Sequence, residues 1–162
     1  MARIWLASMY ARDASYVSSE YHFFFVAWVL NFRPYLDKRV TGMAKKILVV
    51  EDDFDTRYIL SLILKTEGYE VITAADGECA LAVAREEKPD LIITDISMPR
   101  LNGIELTRKI RLKKEMAQMP ILAITAYGAA TMKNAIAAGA SACARKPLVF
   151  KDFLPMIKSL LA

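Results

Sequence analysis

The sequence is poor in residues on which several kinds of protein depend. Its 162 residues hold two cysteines, Cys79 and Cys143, far apart and with no C-x-x-C pair, and a single histidine, His22. That excludes a disulfide scaffold and a Cys/His zinc site, and it suits a reducing, cytoplasmic compartment. One histidine, lodged in an irregular N-terminal stretch, also argues against a Ser-His-Asp or Cys-His hydrolase. Glycine is scarce, six in all, and neither G-x-x-x-x-G-K-[ST] nor G-x-G-x-x-G occurs. Nucleotide binding through a glycine-rich phosphate loop is therefore disfavoured. A long apolar run is missing too. Phe23–Leu30 is the longest uncharged apolar run of the early sequence, well short of the roughly 20 residues a transmembrane helix needs. Asp13 and Glu20 precede it, and Asn31-Phe32-Arg33-Pro34 follows without a small-x-small cleavage pattern, so a secretory signal fits poorly. Finally, strong charge is absent. Lys+Arg 22 against Asp+Glu 18 gives +4, divided as +2 before Met43 and +2 after it, which does not indicate nucleic-acid binding driven by bulk charge.

What is present is an ordinary supply of core. Apolar residues make up 55% and charged residues 25%, which excludes general disorder and low complexity, and the length suits about one domain. The chain falls into two unlike parts. Residues 1–43 are aromatic-rich and irregular, with Trp5, Tyr10, Tyr16, Tyr21, Phe23, Phe24, Phe25, Trp28, Phe32 and Tyr35. The reading preferred here is an extension without a folded role, upstream of a natural start at Met43-Ala44-Lys45-Lys46. A membrane-surface or partner-binding segment and a helix packed on the main domain are the alternatives, the first weakened by the lack of a Lys/Arg row.

Residues 44–162 alternate regularly. Ile47–Val50 is a short, wholly apolar run, as expected of a strand covered on both faces. The spacing from Tyr58 to Lys65 is helical, and Gly68 closes that helix. Glu70–Ala74 reads as a second strand, Asp76-Gly77 as a turn, and Cys79–Glu87 as an alanine-rich helix ending before Pro89. Asp90–Asp95 is a third strand, and Asn102-Gly103 opens a helix expected to run through Lys114. Pro120–Thr125, a helix from Ala129 to Ala138, the less apolar Ser141–Arg145, and an amphipathic Phe150–Leu161 complete the pattern. The result is (βα)5. Right-handed crossovers make such a sheet parallel, with helices on both faces, and the flavodoxin-like strand order 2-1-3-4-5 is its usual form.

In that order the carboxyl ends of the strands form the functional edge. Strand one ends in Glu51-Asp52-Asp53, strand three in Asp95, strand four in Thr125 and strand five in Lys146-Pro147. Converging aspartates repel one another, and a hard divalent cation relieves the repulsion. Mg²⁺ suits one or two carboxylates plus a phosphate oxygen. With no phosphate loop, the remaining chemistry is a carboxylate nucleophile forming an aspartyl phosphate, its charge met by Mg²⁺, Lys146 and the Thr125 hydroxyl. Each residue alone has a plainer explanation. A single aspartate after a strand is most often a helix N-cap, a role open to Asp53 or Asp55. Lys146 alone is a solvated cation, and Thr125 alone a strand-end hydroxyl. The combination carries the argument.

Ile47-Leu48-Val49-Val50-Glu51-Asp52-Asp53, Asp90–Pro99, Asn102-Gly103, Ile124-Thr125-Ala126, Gly139-Ala140-Ser141 and Lys146-Pro147 together resemble the receiver domain of response regulators in two-component signalling, of the single-domain type. The resemblance covers residues 46–162. It implies that Asp95 accepts phosphate from a sensor histidine kinase or a phosphotransfer protein, and that Asp52, Asp53 and Asp95 hold Mg²⁺ with the Ser97 carbonyl. It also implies that Lys146 pairs with the phosphoryl group, that Thr125 is the switch hydroxyl, and that the Lys146–Pro147 bond is cis. One departure stands out. Cys143 occupies the position, three residues before the lysine, where the family usually carries Tyr or Phe. A thiol cannot act as a rotating ring, which leaves Tyr127, just past Thr125, to carry part of that role.

On this reading the domain accepts phosphate rather than turning over a substrate. It acts through a downstream protein, since one helix after strand five leaves no room for an output domain. Neither nucleic-acid binding by this chain alone nor a transmembrane span is expected. Two alternatives are weaker. An Mg²⁺-dependent phosphatase with an aspartate nucleophile wants a second aspartate two residues on, where Ser97 stands. A flavodoxin-type electron carrier would set Glu51-Asp52-Asp53 against the FMN phosphate.

Overall fold

The computed structural model describes residues 44–162; the aromatic-rich N-terminal segment and the expectations attached to it lie outside the described residues. Five strands, β1 (Lys46–Val50), β2 (Glu70–Ala74), β3 (Leu91–Asp95), β4 (Ile121–Thr125) and β5 (Ala142–Arg145), alternate with five helices. These are α1 (Phe54–Thr66), α2 (Gly77–Glu87), α3 (Gly103–Arg111), α4 (Ala129–Ala137) and α5 (Phe150–Leu160). All strand pairs are parallel, in the order β2-β1-β3-β4-β5.

The two-residue period of the strands explains the layering. In β1, Leu48 and Val50 join Ile92, Ala80, Ala84, Leu106 and Ile110 on the face covered by α2 and α3. Ile47 and Val49 join Leu91, Ile93, Leu122, Ile124, Leu60, Leu64, Phe153 and Ile157 on the face covered by α1 and α5. A smaller cluster of Ile96, Ala123, Ala135 and Ala140 lies beneath α4, with Ile104 and Cys143 packed against it. Among the described residues no helix is long and apolar enough to cross a membrane.

Local chemistry sets the element ends that matter for the site. Asp53 is extended and caps α1, its carboxylate accepting from the Thr56 N–H at 2.8 Å. Asp76 begins α2 as its cap rather than merely turning the chain, so that helix starts at Gly77. Asn102 and Glu105 form a reciprocal capping box at α3. Behind it, Gly103 is a steric requirement: a Cβ there would collide with the Asp95 carbonyl oxygen. Helix α3 ends at Arg111 rather than Lys114. The Leu112 N–H closes the last turn on Arg108 and Ile110, and the Arg111 guanidinium is drawn inward onto the carbonyls of Gly139 (2.9 Å) and Met119 (2.8 Å).

Candidate functional site

Register brings the acidic residues together. Val50 of β1 lies beside Thr94 of β3, so the next residue on each strand, Glu51 and Asp95, meets its counterpart past the sheet's end. Carboxylate oxygens of Glu51, Asp52 and Asp95 lie within 4.8 Å of one another. Glu51 and Asp95 are buried and Asp52 is exposed, so the cluster opens to solvent on one side. Three anionic oxygens this close suit a hard divalent cation with waters to complete its shell. The donor set therefore fits Mg²⁺.

Asp53 does not belong to this cluster. Its carboxylate is engaged at the start of α1, where bonds from Thr56 hold its pKa below the ordinary aspartate value. The β1 carboxylates in this cluster are Glu51 and Asp52, one residue earlier than the Asp52-Asp53 pair that the resemblance implies as magnesium ligands. The reason is geometric: β1 ends at Val50 and α1 begins at Phe54. The first residue past the strand faces its neighbour on β3, and the last before the helix becomes the cap.

Lys146 ties the cluster together. Its Nζ lies 2.6 Å from Asp95 Oδ1 and 2.8 Å from Glu51 Oε2. Burial alone would pull the ammonium's pKa down, but the hydrogen bonds and charges of Asp95 and Glu51 outweigh it and leave it raised. On Glu51, burial is the largest effect and pushes the carboxyl up. Lys146 opposes this, and the charges of Asp95 and Asp52 reinforce it. The pair thus favours the lysine's charge more completely than the glutamate's, because Glu51 must also face two other carboxylates. The Ser97 N–H donates to Asp95 Oδ2, so both oxygens of Asp95 have partners. The Lys146–Pro147 bond is cis.

Thr125 is fully buried at the end of β4. Its Oγ1 accepts from the Tyr127 N–H at 3.0 Å, and its carbonyl accepts from the Lys146 N–H at 2.7 Å. The hydroxyl is thus linked through backbone to both neighbours. Tyr127 is 60% exposed, so most of that residue faces solvent. Cys143 is half-buried against the small-residue cluster, and burial raises its thiol pKa.

Two contributors escaped the motif reading. Glu51 was passed over because three acidic residues run together. Arg57 donates to the carbonyls of Glu51 (2.5 Å) and Asp52 (3.1 Å), and its guanidinium also lies over the Phe54 ring at 5.6 Å. An arginine one turn inside a helix that follows an acidic loop was the available signal.

Residues 47–158 match the response regulator receiver domain family. The chain is a response-regulator receiver domain. Its similarity to the alkaline phosphatase synthesis transcriptional regulatory protein PhoP of Bacillus subtilis is 50% identity over 84 residues. Those residues are 52% of this chain and 34% of that protein, so the chain spans about a third of this relative's length. It spans 48% of the probable transcriptional regulator ycf27 of Cyanophora paradoxa. The polar-differentiation response regulator DivK of Brucella anthropi is 33% identical over 120 residues, covering 74% of this chain and 98% of DivK. Among solved structures, chemotaxis protein CheY4 of Vibrio cholerae superposes with a TM-score of 0.70 at 33% identity, over 74% of this chain and 100% of CheY4. The flavodoxin-like strand order and the two-component signalling assignment both follow. The family places phosphorylation on an aspartate, and a phosphatase of similar topology is not favoured.

Proposed function

We propose that Asp95 of this receiver domain accepts a phosphoryl group from the phosphohistidine of a sensor kinase or phosphotransfer protein in the cytoplasm, and that the change is passed to a downstream protein. The observation that carries the reading is the position of the Asp95 carboxylate. It is buried at the end of β3, gripped by Lys146 at 2.6 Å, and set beside the Glu51 and Asp52 carboxylates. In the transfer, an Asp95 oxygen bonds to phosphorus as the donor's N–P bond breaks, giving an acyl phosphate and a free histidine. Mg²⁺ held by Glu51, Asp52, Asp95 and the Ser97 carbonyl would offset negative charge on the transferring group.

The chain's own residues do the rest. Lys146 keeps its charge through the reaction and is placed to follow the new phosphoryl oxygens. The Ser97 N–H holds one carboxylate oxygen and so orients the other. Thr125 then turns its hydroxyl toward the phosphoryl group, giving up the Tyr127 N–H. The test is labelling with acetyl phosphate and Mg²⁺. The protein should gain one hydroxylamine-labile phosphate, and Asp95→Asn should abolish it; equal labelling of that variant would overturn the assignment.

A further inference from the structure

The loop from Asp95 to Asn102 has few freedoms. Pro99 fixes its own φ and restricts Met98 before it to extended backbone. The Met98 and Leu101 side chains are buried on the face covered by α2 and α3, with Val50, Ala74 and Ala80. The Gly103 N–H donates to the Ile96 carbonyl at 3.1 Å and closes the far end. Ser97 lies inside this span, and its N–H donates to Asp95 Oδ2. Whatever fixes Arg100 therefore bears on the direction of the Ser97 N–H, because the two residues between them have little rotation to spare.

Arg100 is held in a way that its residue type does not favour. Its φ is 65°, in the left-handed region, which a long side chain enters only where the surroundings impose it. Its guanidinium donates to Asp76 Oδ2 at the start of α2. Asp76 is the N-cap of that helix, and its other oxygen, Oδ1, accepts from the Cys79 N–H at 2.8 Å. The Cys79 bond and then the Arg100 charge hold this carboxyl below its ordinary pKa in spite of burial. The contact continues in the backbone: a Cβ on Gly77 would stand 2.5 Å from the Leu101 carbonyl oxygen. The loop after β3 is thus seated on the first turn of α2. The Arg100 side chain is 61% exposed, so the pair adds little to stability. A strained backbone, kept by a weakly stabilising pair three residues from Ser97, points to the site rather than to the fold.

We propose that Arg100 and Asp76 are positioning residues for phosphoryl transfer to Asp95. Their ion pair holds the left-handed turn that aims the Ser97 N–H at Asp95 Oδ2, and so turns Oδ1 toward Lys146 and the incoming phosphorus. The same turn sets the direction of the Ser97 carbonyl, the backbone oxygen assigned to Mg²⁺. The pair touches neither the cation nor the phosphoryl group; it acts through Ser97. The proposal rests on Asp95 being the phosphoacceptor.

The experiment uses the full chain and two readouts: the Ser97 amide proton shift without Mg²⁺ or phosphate, and the rate of labelling by acetyl phosphate with Mg²⁺. Asp76→Ser keeps one capping oxygen for α2 and leaves none for Arg100. Arg100→Gln removes the other charge. Each should move the Ser97 amide proton upfield, as its bond to the carboxylate lengthens, and slow labelling about three- to ten-fold. The Cys79 amide should stay in place in Arg100→Gln, since its cap is untouched. The double variant should be no slower than the slower single, because both changes remove one contact. Arg100→Lys, which keeps the charge, should recover most of the rate. Arg100→Gly relieves the left-handed strain but cannot reach Asp76, and should be as slow as Arg100→Gln. Lys45→Gln breaks another exposed ion pair, Lys45–Asp90, at the opposite end of β1, and should change neither readout. A parent rate in Asp76→Ser and Arg100→Gln, or a full rate in Arg100→Gly, would overturn the proposal. So would losses that multiply in the double variant, an unmoved Ser97 amide, or an equal loss in Lys45→Gln. The Ser97 shift is read on unphosphorylated protein, so it stands or falls apart from the Asp95→Asn labelling test of the phosphoacceptor.

Discussion

The two flanks of Asp95 are built from different materials. On the β1 flank nearly every polar group is committed. Arg57 holds the carbonyls of Glu51 and Asp52, Asp53 caps α1, and Lys146 spans Glu51 and Asp95. On the β5 flank the packing is of small apolar groups, Cys143 with Ala123, Ala135 and Ala140 beside Ile96 and Ile104. The first flank is preorganised for charge: its carboxylates stay close because carbonyl bonds and a cap fix the loop that carries them. The second has little bulk that could choose between two packed arrangements. One flank is therefore suited to capturing a cation and a phosphoryl group, while the other has little shape with which to transmit a change.

The largest expected effect breaks the polar flank at its centre. Lys146→Met removes the only cation within ion-pair distance of Asp95 among the described residues. It should slow phosphorylation by acetyl phosphate by about 10²-fold, the usual scale for losing one donor to developing charge. It also leaves Glu51 and Asp95 buried without their counter-charge, so urea unfolding should show a loss of stability. A variant labelled at the parent rate would mean that Lys146 serves the fold alone.

Next in size is the contrast within the acidic run. Glu51→Gln should weaken Mg²⁺ binding, read from amide shifts, by about ten-fold or more, because a hard cation loses one of three anionic ligands. Asp53→Ala should leave Mg²⁺ affinity nearly unchanged and instead lower stability through loss of the α1 cap. The reverse result, with magnesium affected by Asp53 and not by Glu51, would restore the assignment suggested by the sequence motif.

That contrast also marks how far the sequence could be read. The apolar strands, the alternation and the meeting of Asp95 with Lys146 were legible because each depends on a local pattern: period two in Ile47–Val50, a turn after Asp95, a Lys-Pro pair after β5. The position of Asp53 was not, because three consecutive acids satisfy the same motif in two registers. Only the length of β1 and the start of α1 decide between them. Arg57 was missed for a related reason. Its partners are backbone carbonyls, and backbone acceptors leave no residue type to recognise. The end of α3 was misplaced because Lys113 and Lys114 are good helix formers, while Arg111 is drawn to carbonyls contributed by distant chain.

The smallest expected effect sharpens the comparison on the β5 flank. Activation with beryllofluoride and Mg²⁺ is expected to move Thr125, but the cluster holding Ala123, two residues earlier on the same strand, is lined by a thiol and small side chains rather than by an aromatic ring. Amide shifts over α4 and β5 should accordingly be small in the parent. Tyr127→Ala should reduce them only slightly, since that residue is 60% exposed and its N–H, which bonds the threonine hydroxyl, survives the substitution. Cys143→Tyr should enlarge them. A tyrosine there has a choice between packing into the slot and standing at the surface, and movement of Thr125 would bias that choice. Its added volume also overpacks the slot when the ring is inward, at a cost of about 1–3 kcal/mol, so the outward position should dominate before activation. Parent shifts as large as those of Cys143→Tyr would show that the small-residue flank transmits as well as an aromatic one, by motion of α4 as a unit rather than by a side-chain flip.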